Sequence, residues 1–415
     1  MQSLRAASLE HKPDISRTRA YLLLFNKKVQ AFNYLSKAHK VQPKNAKVWE
    51  LLIGLDEYKN DPLISEVKKL VRKKSKITQP PPLPKKTSHT TERVRNMNLK
   101  HLLFLSMTAV SFSCFSDDAE SSKKLAQEVP IADVHRHVQR WVSPELLRQQ
   151  MEKNNVRWSG AVGAPFGPFD TTPYAKLLQN KYIPTTGQVE LGDIFGQHGA
   201  AGLTDINLRT YQELLANADN LFSTGQIKGF GELILNNKQT NPNVSFRRKV
   251  KIDSAPIDAM FAIANKHKGF VQIHSEDDAD SVEELKSLSV KYANTSLILS
   301  HCLFTSNVDL IRSLLGNSSN IFCEMSARSR SHFPNPDSER AKSLIVYSED
   351  SVKPEWVALI EEFPTRFMVG TDTYNPRVNF EKNIEEIRGG LLSKLKVSTI
   401  ELVAYKNAVR VMRLE

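Results

Sequence analysis

The chain has 415 residues, which is room for more than one domain, and its formal net charge is +12. Residues 1–100 hold 22 Lys and Arg against 8 Asp and Glu, whereas the rest of the chain holds 35 against 37. The basic character therefore belongs to the N-terminal part, and nucleic acid is not the favoured partner of the larger part. Three cysteines are too few for a disulfide framework, so Cys302 and Cys323, in or beside apolar runs, are predicted to be a pair of buried thiols.

Residues 1–76 are predicted to be a helical fragment. Their spacing resembles the tetratricopeptide repeat, whose period is about 34 residues, and about one and a half repeats are present. Such arrays need about three repeats for stability. Residues 77–96, which contain Pro, Lys and Thr with little apolar content, are the predicted linker. The residues that carry the repeat resemblance are Ala31, Leu35, Ala38, Pro43, Trp49 and Leu52.

Residues 97–115 have the layout of a secretory signal. Met97 and Lys100 precede an apolar stretch over residues 102–110, and small residues then lead to Cys114. A short basic start, an apolar core and a small-residue exit are the three parts of such a signal. The apolar stretch is too short to span a bilayer comfortably.

Ser113–Cys114 resembles a bacterial lipoprotein cleavage site. We therefore expect an exported protein, in the bacterial periplasm or attached to a membrane through a lipid on Cys114 or through residues 102–115. A signal belongs at a chain start, so Met97 is the true start and residues 1–96 are an upstream extension, or the chain is a fusion anchored by its apolar segment. A third alternative, a buried helix, is opposed by the polar, charged flanks of the segment. Residues 116–127, polar and acidic, are predicted to be a tether.

The remaining residues, 128–415, alternate short apolar runs with helical patterns. Short apolar runs bounded by turn residues are typical of strands buried on both faces, and their alternation with helices predicts a parallel sheet. Eight such runs predict closure into a (β/α)8 TIM-like barrel, an α/β fold that suits this length. The predicted strands are 130–134, 156–162, 181–186, 227–233, 270–274, 296–301, 320–325 and 366–371.

Helices are predicted between most of these strands. Ser143, Pro144 and Glu145 supply an N-cap, a first-turn proline and an early acid for a helix that runs to Lys153. The glycine-rich stretch 188–204 after the third strand is predicted to be a lid or a substrate loop. Other helical patterns cover 208–222, 256–266, 282–292 and 355–363.

Six metal-binding side chains stand at the ends of predicted strands. Strand positions two apart face the same side, so both imidazoles of the His-x-His pair are expected to point into the barrel mouth. Active sites of such barrels lie at the C-terminal ends of the strands, so the six side chains are expected to surround one metal centre. They are His135, His137, Glu232, His274, His301 and Asp372.

The chemistry of this set predicts hydrolysis. Imidazole nitrogen and carboxylate oxygen suit zinc, and also manganese or iron, whereas a soft thiolate set is missing from the sequence pattern. A divalent metal with an open position makes hydroxide available near neutral pH. Asp372 is the predicted acceptor of the water proton. Arg328, after the seventh strand, is predicted to meet an anionic group of the substrate; the alternative is a surface ion pair.

Seven motifs occur in order along residues 128–415: DVHRH, IKGFGE, VQIHSED, LILSHC, NIFCEMSAR, RFMVGTD and YKNAVRVMRL. With them, this segment resembles the metal-dependent amidohydrolase superfamily, most closely its amidohydrolase-related branch. The resemblance implies a barrel with one or two metal ions, held by the four histidines and Asp372, and hydrolysis as the reaction. Glu232 is similar to the glutamate that bridges two metals in TatD-like members, so the number of ions stays open.

The leading hypothesis is a metal-dependent hydrolase that acts on a small amide, lactone or ester. One alternative is a TatD-like phosphodiesterase or nuclease, which Glu232 favours and the lack of a basic barrel opposes. A second is a decarboxylase of the same superfamily, because such members keep a similar ligand set. The non-enzymatic alternative is an adaptor with an inactive barrel, motivated by the repeat-like fragment.

Overall fold

The computed structural model describes residues 112–139, 141–163, 169–241, 243–374 and 378–415. All of them belong to one unit of the chain, Ser111–Glu415. The predicted repeat fragment, the linker and most of the signal-like segment lie outside the described residues and stay predictions. No helix within the described ranges combines the length and the apolar content that a membrane crossing requires.

Parallel strands form the centre of the described unit. They are β1 Ile131–Arg136, β2 Val156–Ala161, β3 Tyr182–Ile183, β4 Thr185–Thr186, β5 Gly229–Ile234, β6 Phe270–His274, β7 Ser296–Leu299, β8 Ile321–Glu324 and β9 Phe367–Met368. Two ladders result, one from β1 to β3 and one from β4 to β9, and within each ladder every strand pairs with the next along the chain. This is the order expected when helices connect neighbouring parallel strands.

Two connections close these ladders into a ring. β3 and β4 are halves of one extended segment interrupted at Pro184, which has no N–H to donate to a ladder; one half pairs with β2 and the other with β5. Beyond β9, Val134 N donates to Val369 O at 3.2 Å, and Asp372 N donates to His135 O at 2.7 Å. The described strands therefore occupy eight positions, and the predicted (β/α)8 barrel is confirmed.

Helices cover the outside of the ring and bury apolar stripes against it. They are α1 Phe112–Glu128, α2 Pro144–Lys153, α3 Thr172–Leu178, α4 Gln188–Gly202, α5 Arg209–Ser223, α6 Ala255–His267, α7 Ala279–Lys291, α8 Val308–Asn317, α9 Glu339–Leu344, α10 Pro354–Glu362, α11 Phe380–Glu386, α12 Val397–Glu401 and α13 Asn407–Met412. The predicted start of α2 is confirmed: Ser143 Oγ accepts a hydrogen bond from Leu146 N at 3.1 Å, which caps the helix ahead of its first-turn proline.

The stretch 188–204 was predicted to be a loop, and that prediction is wrong, because α4 occupies most of it. The Glu190 carboxylate accepts a hydrogen bond from Gly187 N at 3.0 Å and caps the first turn. Leu191 and Ile194 are buried, so the helix has an apolar stripe toward the ring. This burial outweighs the helix cost of its glycines, about 1 kcal/mol each.

The predicted tether 116–127 is also corrected, since it forms most of α1. Ser122 and Ala126, four residues apart, are buried on one face of the helix, and Val129 continues that face. Helix α1 packs against α12 and the turns that precede it. The barrel unit therefore begins at α1, earlier than the predicted boundary at residue 128.

A smaller apolar cluster fills the inside of the ring below the strand ends. On β6, Phe270, Gln272 and His274 alternate and so share one face. Phe270 belongs to the inner cluster, and Val411 of α13 closes its lower end. The inside of the ring is thus apolar at the N-terminal end of the strands. At the C-terminal end, the inward faces of the strands carry polar side chains.

Cys302 and Cys323, predicted to be thiols, form a disulfide in the structure. Both are fully buried. Cys302 lies just after β7, and Cys323 on β8 is the ladder partner of Leu299. The pairing follows from the adjacency of β7 and β8, which the separation of the two cysteines in sequence does not reveal.

Candidate metal centre

The six side chains predicted to bind metal lie together at the C-terminal end of the ring. Each is enclosed, with side-chain exposure between 0% for His135 and 12% for His274. The strands deliver them to one place because parallel strands all end at the same edge of the barrel. Their positions are His135 in β1, His137 just beyond it, Glu232 in β5, His274 at the end of β6, His301 in the turn after β7 and Asp372 after β9.

Glu232 lies at the centre of this cluster and faces four histidines. Its Oε1 lies 2.8 Å from His274 Nδ1 and 3.3 Å from His301 Nε2. Its Oε2 lies 3.5 Å from Nε2 of both His135 and His137. The two oxygens of one buried carboxylate therefore face two different pairs of imidazoles.

Asp372 approaches the same histidines from the last strand. Its Oδ1 lies 3.2 Å from His137 Nε2 and 3.6 Å from His135 Nε2. Its Oδ2 lies 3.6 Å from Nε2 of His332, a histidine in the segment after β8 to which the sequence assigned no role. The backbone at Asp372 is left-handed, with φ of 47°, a conformation that Asp tolerates better than most residues.

Two of the histidines are oriented by backbone carbonyls. His137 Nδ1 donates to Gly163 O at 2.9 Å, and His301 Nδ1 donates to Ser326 O at 3.1 Å. A carbonyl oxygen only accepts, so each ring carries its proton on Nδ1. The Nε2 lone pairs consequently face the centre of the cluster, as in histidines that bind metals.

His135 is oriented by a carboxylate instead, and it supplies the test of whether a metal fits. Its Nδ1 lies 2.9 Å from Glu324 Oε1. Its Nε2 is buried and has no hydrogen-bond partner, although carboxylate oxygens of Glu232 and Asp372 lie 3.5 and 3.6 Å away. A buried polar atom without a partner is unfavourable. A cation held between this nitrogen and the two carboxylates would satisfy all three groups.

Glu324 is a candidate functional residue that the sequence analysis did not single out. It is fully buried, and its carboxylate accepts hydrogen bonds from His301 N at 2.7 Å and from Ser326 N at 2.8 Å. It also accepts from Ser326 Oγ at 2.9 Å. A carboxylate that ends a buried apolar strand is the same signal that singled out Glu232, so the pattern was present in the sequence.

Arg328, predicted to meet an anionic substrate group, is corrected by the structure. Its guanidinium is fully buried and donates three hydrogen bonds to backbone carbonyls, at 2.8 Å to Leu344, 2.9 Å to His301 and 2.6 Å to Thr305. It also lies over the Trp356 ring, 4.8 Å from the centroid. All its nitrogens are therefore occupied within the fold, so neither an anion-binding role nor the alternative surface ion pair applies.

The hydrogen bonds from Arg328 to His301 O and Thr305 O support a turn whose backbone conformation is unfavourable. This turn carries the candidate ligand His301. In the turn Ser300–Phe304, four successive residues from His301 have φ between 48° and 61°. Left-handed backbone is costly for residues other than glycine, so neighbours must hold it. Arg328 fixes His301 O, and Glu324 fixes His301 N.

Exchange of Arg328 for methionine is expected to lower the free energy of unfolding by about 3 kcal/mol, because three buried carbonyls lose their donor. Denaturant unfolding of the full chain, followed by tryptophan fluorescence, measures this. Exposed Arg330 provides the control: Arg330→Met should change stability by less than about 1 kcal/mol. An Arg328→Met variant of wild-type stability that loses only its affinity for anionic substrates would restore the role predicted from sequence.

The charges in the cluster shift the pKa of Glu232 and the pKa of His135 in opposite directions. Burial raises the pKa of Glu232, but the charge of His135 and the hydrogen bond from His274 outweigh it and leave the pKa well below its usual value. Burial lowers the pKa of His135, but the charges of Glu324, Glu232 and Asp372 outweigh it and leave the pKa well above its usual value. The surrounding carboxylates therefore favour a proton on His135 when no metal is bound.

Metal uptake is accordingly expected to release a proton from His135. The apparent metal affinity of the full chain should rise by up to about tenfold per pH unit between pH 6 and 8, because the cation must displace that proton. Calorimetric titrations with zinc in buffers of different ionisation enthalpy measure the proton number. An affinity that stays constant over this range would show that metal binding displaces no proton from His135.

The donor set suits a divalent metal of the zinc, manganese or iron type. Two overlapping triads have ligand atoms within 4.8 Å of one another and share His135. One triad adds Glu232 and His301, and the other adds His137 and Asp372. His274 reaches the cluster through Glu232. The residues therefore fit either one ion or two.

Comparison with known proteins gives matches to solved structures only. No family model matches the chain, and no curated protein matches it. An amidohydrolase from Burkholderia multivorans is 15% identical, with 69% of this chain and 100% of that chain covered and a TM-score of 0.45. A dihydroorotase from Saccharomyces cerevisiae is 13% identical, with 69% and 85% covered and a TM-score of 0.44. An uncharacterised TIM-barrel protein from Bordetella bronchiseptica is 12% identical, with 73% and 92% covered and a TM-score of 0.42.

Proposed function

We propose that this chain is a metal-dependent hydrolase that activates water for attack on a small amide, lactone or ester. The observation that carries the proposal is the convergence of three Nε2 atoms, from His135, His137 and His301, on the carboxylates of Glu232 and Asp372. Nδ1 anchors on the far side of each ring fix that orientation. Side chains oriented before a ligand arrives are what catalysis at a metal requires.

The residues of the candidate metal centre have different roles in the proposed hydrolysis. A bound divalent cation supplies Lewis acidity, which makes water a better nucleophile at neutral pH. Asp372 accepts the water proton on its carboxylate and delivers it to the leaving nitrogen or oxygen, so the proton count balances. His332 Nε2 lies 3.6 Å from Asp372 Oδ2, the oxygen that does not face His135 and His137.

Metal analysis of the purified full chain tests the proposal. We expect close to one or two equivalents of metal and hydrolysis of members of an ester, lactone and amide panel, lost on chelation and restored by added metal. His135→Ala and His301→Ala should remove both metal and activity. His198→Ala, a change at an exposed helix position, is the matched control and should alter neither. Carbon dioxide release without hydrolysis would favour a decarboxylase, and metal-free wild-type protein would reject the proposal.

Zinc is the metal we propose, and the position of Glu232 between two imidazole pairs supports a two-ion centre. Glu232 would help to hold both ions, since each of its carboxylate oxygens faces a different pair of imidazoles. Zinc-loaded wild-type chain should then hold about two equivalents, and Glu232→Gln about one. One equivalent in both proteins would support a single ion.

Export is the localisation that we propose, with the signal-like residues 97–115 as its basis. The mature N-terminus, determined by mass spectrometry on protein from cells, tests this. Cleavage before Cys114 with a lipid on its sulfur would support membrane attachment, and an intact cytosolic chain would reject export.

A further inference from the structure

Arg248 lies in the segment after β5, at the same end of the ring as the candidate metal centre. Its Nε donates to Ile234 O at 2.7 Å. Ile234 stands two residues beyond Glu232, and its ladder partner is His274. The guanidinium is therefore held at the ends of two strands that carry members of the centre.

Helix α4 forms a second link between Arg248 and the centre. Phe195 of α4 packs under the guanidinium, 4.3 Å from Cζ to the ring centroid. At the start of the same helix, Gln188 Nε2 donates to Glu232 Oε2 at 3.1 Å. Burial lowers the pKa of Arg248 to about 10, and the charge of Glu232 opposes that shift, so the side chain is a cation at neutral pH.

Arg248 forms no ion pair with a carboxylate of the described residues, although the charge of Glu232 acts on it. It is only 8% exposed, yet Nε is its one side-chain nitrogen with a hydrogen bond to the described protein. Arg328 differs, because its Nε and both terminal nitrogens are used within the fold. The two terminal nitrogens of Arg248 form no hydrogen bond to the described residues, and such a pair of guanidinium N–H groups matches a carboxylate with two parallel hydrogen bonds.

We propose that Arg248 binds a carboxylate of the substrate, so that the hydrolysed amide, lactone or ester belongs to a carboxylate-bearing molecule. The identity of the hydrolysed bond rests on the proposed function, whereas the anion site rests on Arg248 itself. Gln188 Oε1, on the helix that joins Arg248 to the centre, is buried without a hydrogen-bond partner. It offers an acceptor for an N–H or O–H group of the same molecule.

Matched substrates and matched arginines test the anion site. Monomethyl glutarate and methyl valerate are esters that differ by a free carboxylate in place of a methyl group. Arg248→Met should lower kcat/KM for the first about 100-fold, mainly through KM, and for the second less than about 3-fold. Arg248→Lys keeps the charge and should recover part of the loss. Neighbouring Arg247, which bonds Asn241 O, is the control, and Arg247→Met should change neither ester by more than about 3-fold.

A binding measurement separates failure of the anion site from failure of the proposed function. Calorimetric titration of the metal-free full chain with glutarate should show binding that Arg248→Met weakens at least about tenfold and Arg247→Met leaves unchanged. Arg248-dependent glutarate binding without hydrolysis of any ester would support the anion site and reject the hydrolase. Equal losses for both esters, or glutarate binding that ignores Arg248, would overturn the anion site whatever the hydrolase assay shows. Thermal unfolding of each variant checks the fold, and Arg248→Lys carries the same comparison if Arg248→Met does not fold.

Discussion

Exchange of Asp372 for asparagine is expected to lower kcat by about 10³-fold. The amide keeps an oxygen that can face His137 and His135, but it cannot accept the proton that the carboxylate takes from water. The fold should survive, because asparagine tolerates the left-handed backbone at this position, where φ is 47°. Single-turnover hydrolysis on the metal-loaded full chain measures the change directly.

Two comparisons show whether the loss belongs to proton transfer. Metal content should stay above half of the wild-type value in Asp372→Asn, because three imidazoles and Glu232 remain to hold the ion. Asp350→Asn removes an exposed carboxylate elsewhere on the same unit and should leave kcat unchanged. Wild-type kcat in the metal-loaded Asp372→Asn protein would assign the proton transfer to another group.

Exchange of Glu324 for glutamine is expected to weaken metal binding by about 10- to 100-fold. The carboxylate now receives only donors: His135 Nδ1, His301 N, and both the backbone N–H and the hydroxyl of Ser326. An amide presents one N–H₂ group, which must face one of these donors. If it faces His135, the imidazole proton moves to Nε2, and the lone pair that a metal needs is lost.

Chelator competition with zinc measures the affinity of Glu324→Gln, and thermal unfolding measures its stability. Glu386 offers a matched control, since it is a buried glutamate that accepts hydrogen bonds from the backbone N–H of Ser331 at 3.1 Å and from its hydroxyl at 2.6 Å. Glu386→Gln should lose stability without losing zinc affinity. If both variants lose stability alike and both keep wild-type zinc affinity, Glu324 supports the fold and does not orient the ligands.

Strand positions were predictable because they depend on short-range patterns. Apolar runs bounded by turn residues predicted all eight positions of the ring, and the period of two predicted that His135 and His137 face the same centre. Glu324 follows from the same rule, since it ends an apolar run on β8. Its role does not follow from that pattern, because a carboxylate that orients a ligand and one that binds metal have the same pattern in sequence.

The predictions from sequence that were wrong depend on contacts between segments that are distant along the chain. Residues 188–204 were predicted as a loop from their glycines, but burial of one face against the ring decided for a helix. Cys302 and Cys323 pair because β7 and β8 are neighbours. Local composition is only weakly informative about such choices, because tertiary packing overrides propensity.

The two arginines show most clearly what each level determines. By itself, the sequence determined the α/β class, the order of the strands and the six candidate ligands, because those depend on residue type and period along one strand. Only the tertiary structure decided that Arg328 donates to three backbone carbonyls and that two nitrogens of Arg248 have no hydrogen bond to the described residues. Whether a buried cation is satisfied depends on which acceptors the folded chain brings to it, and those acceptors come from other segments.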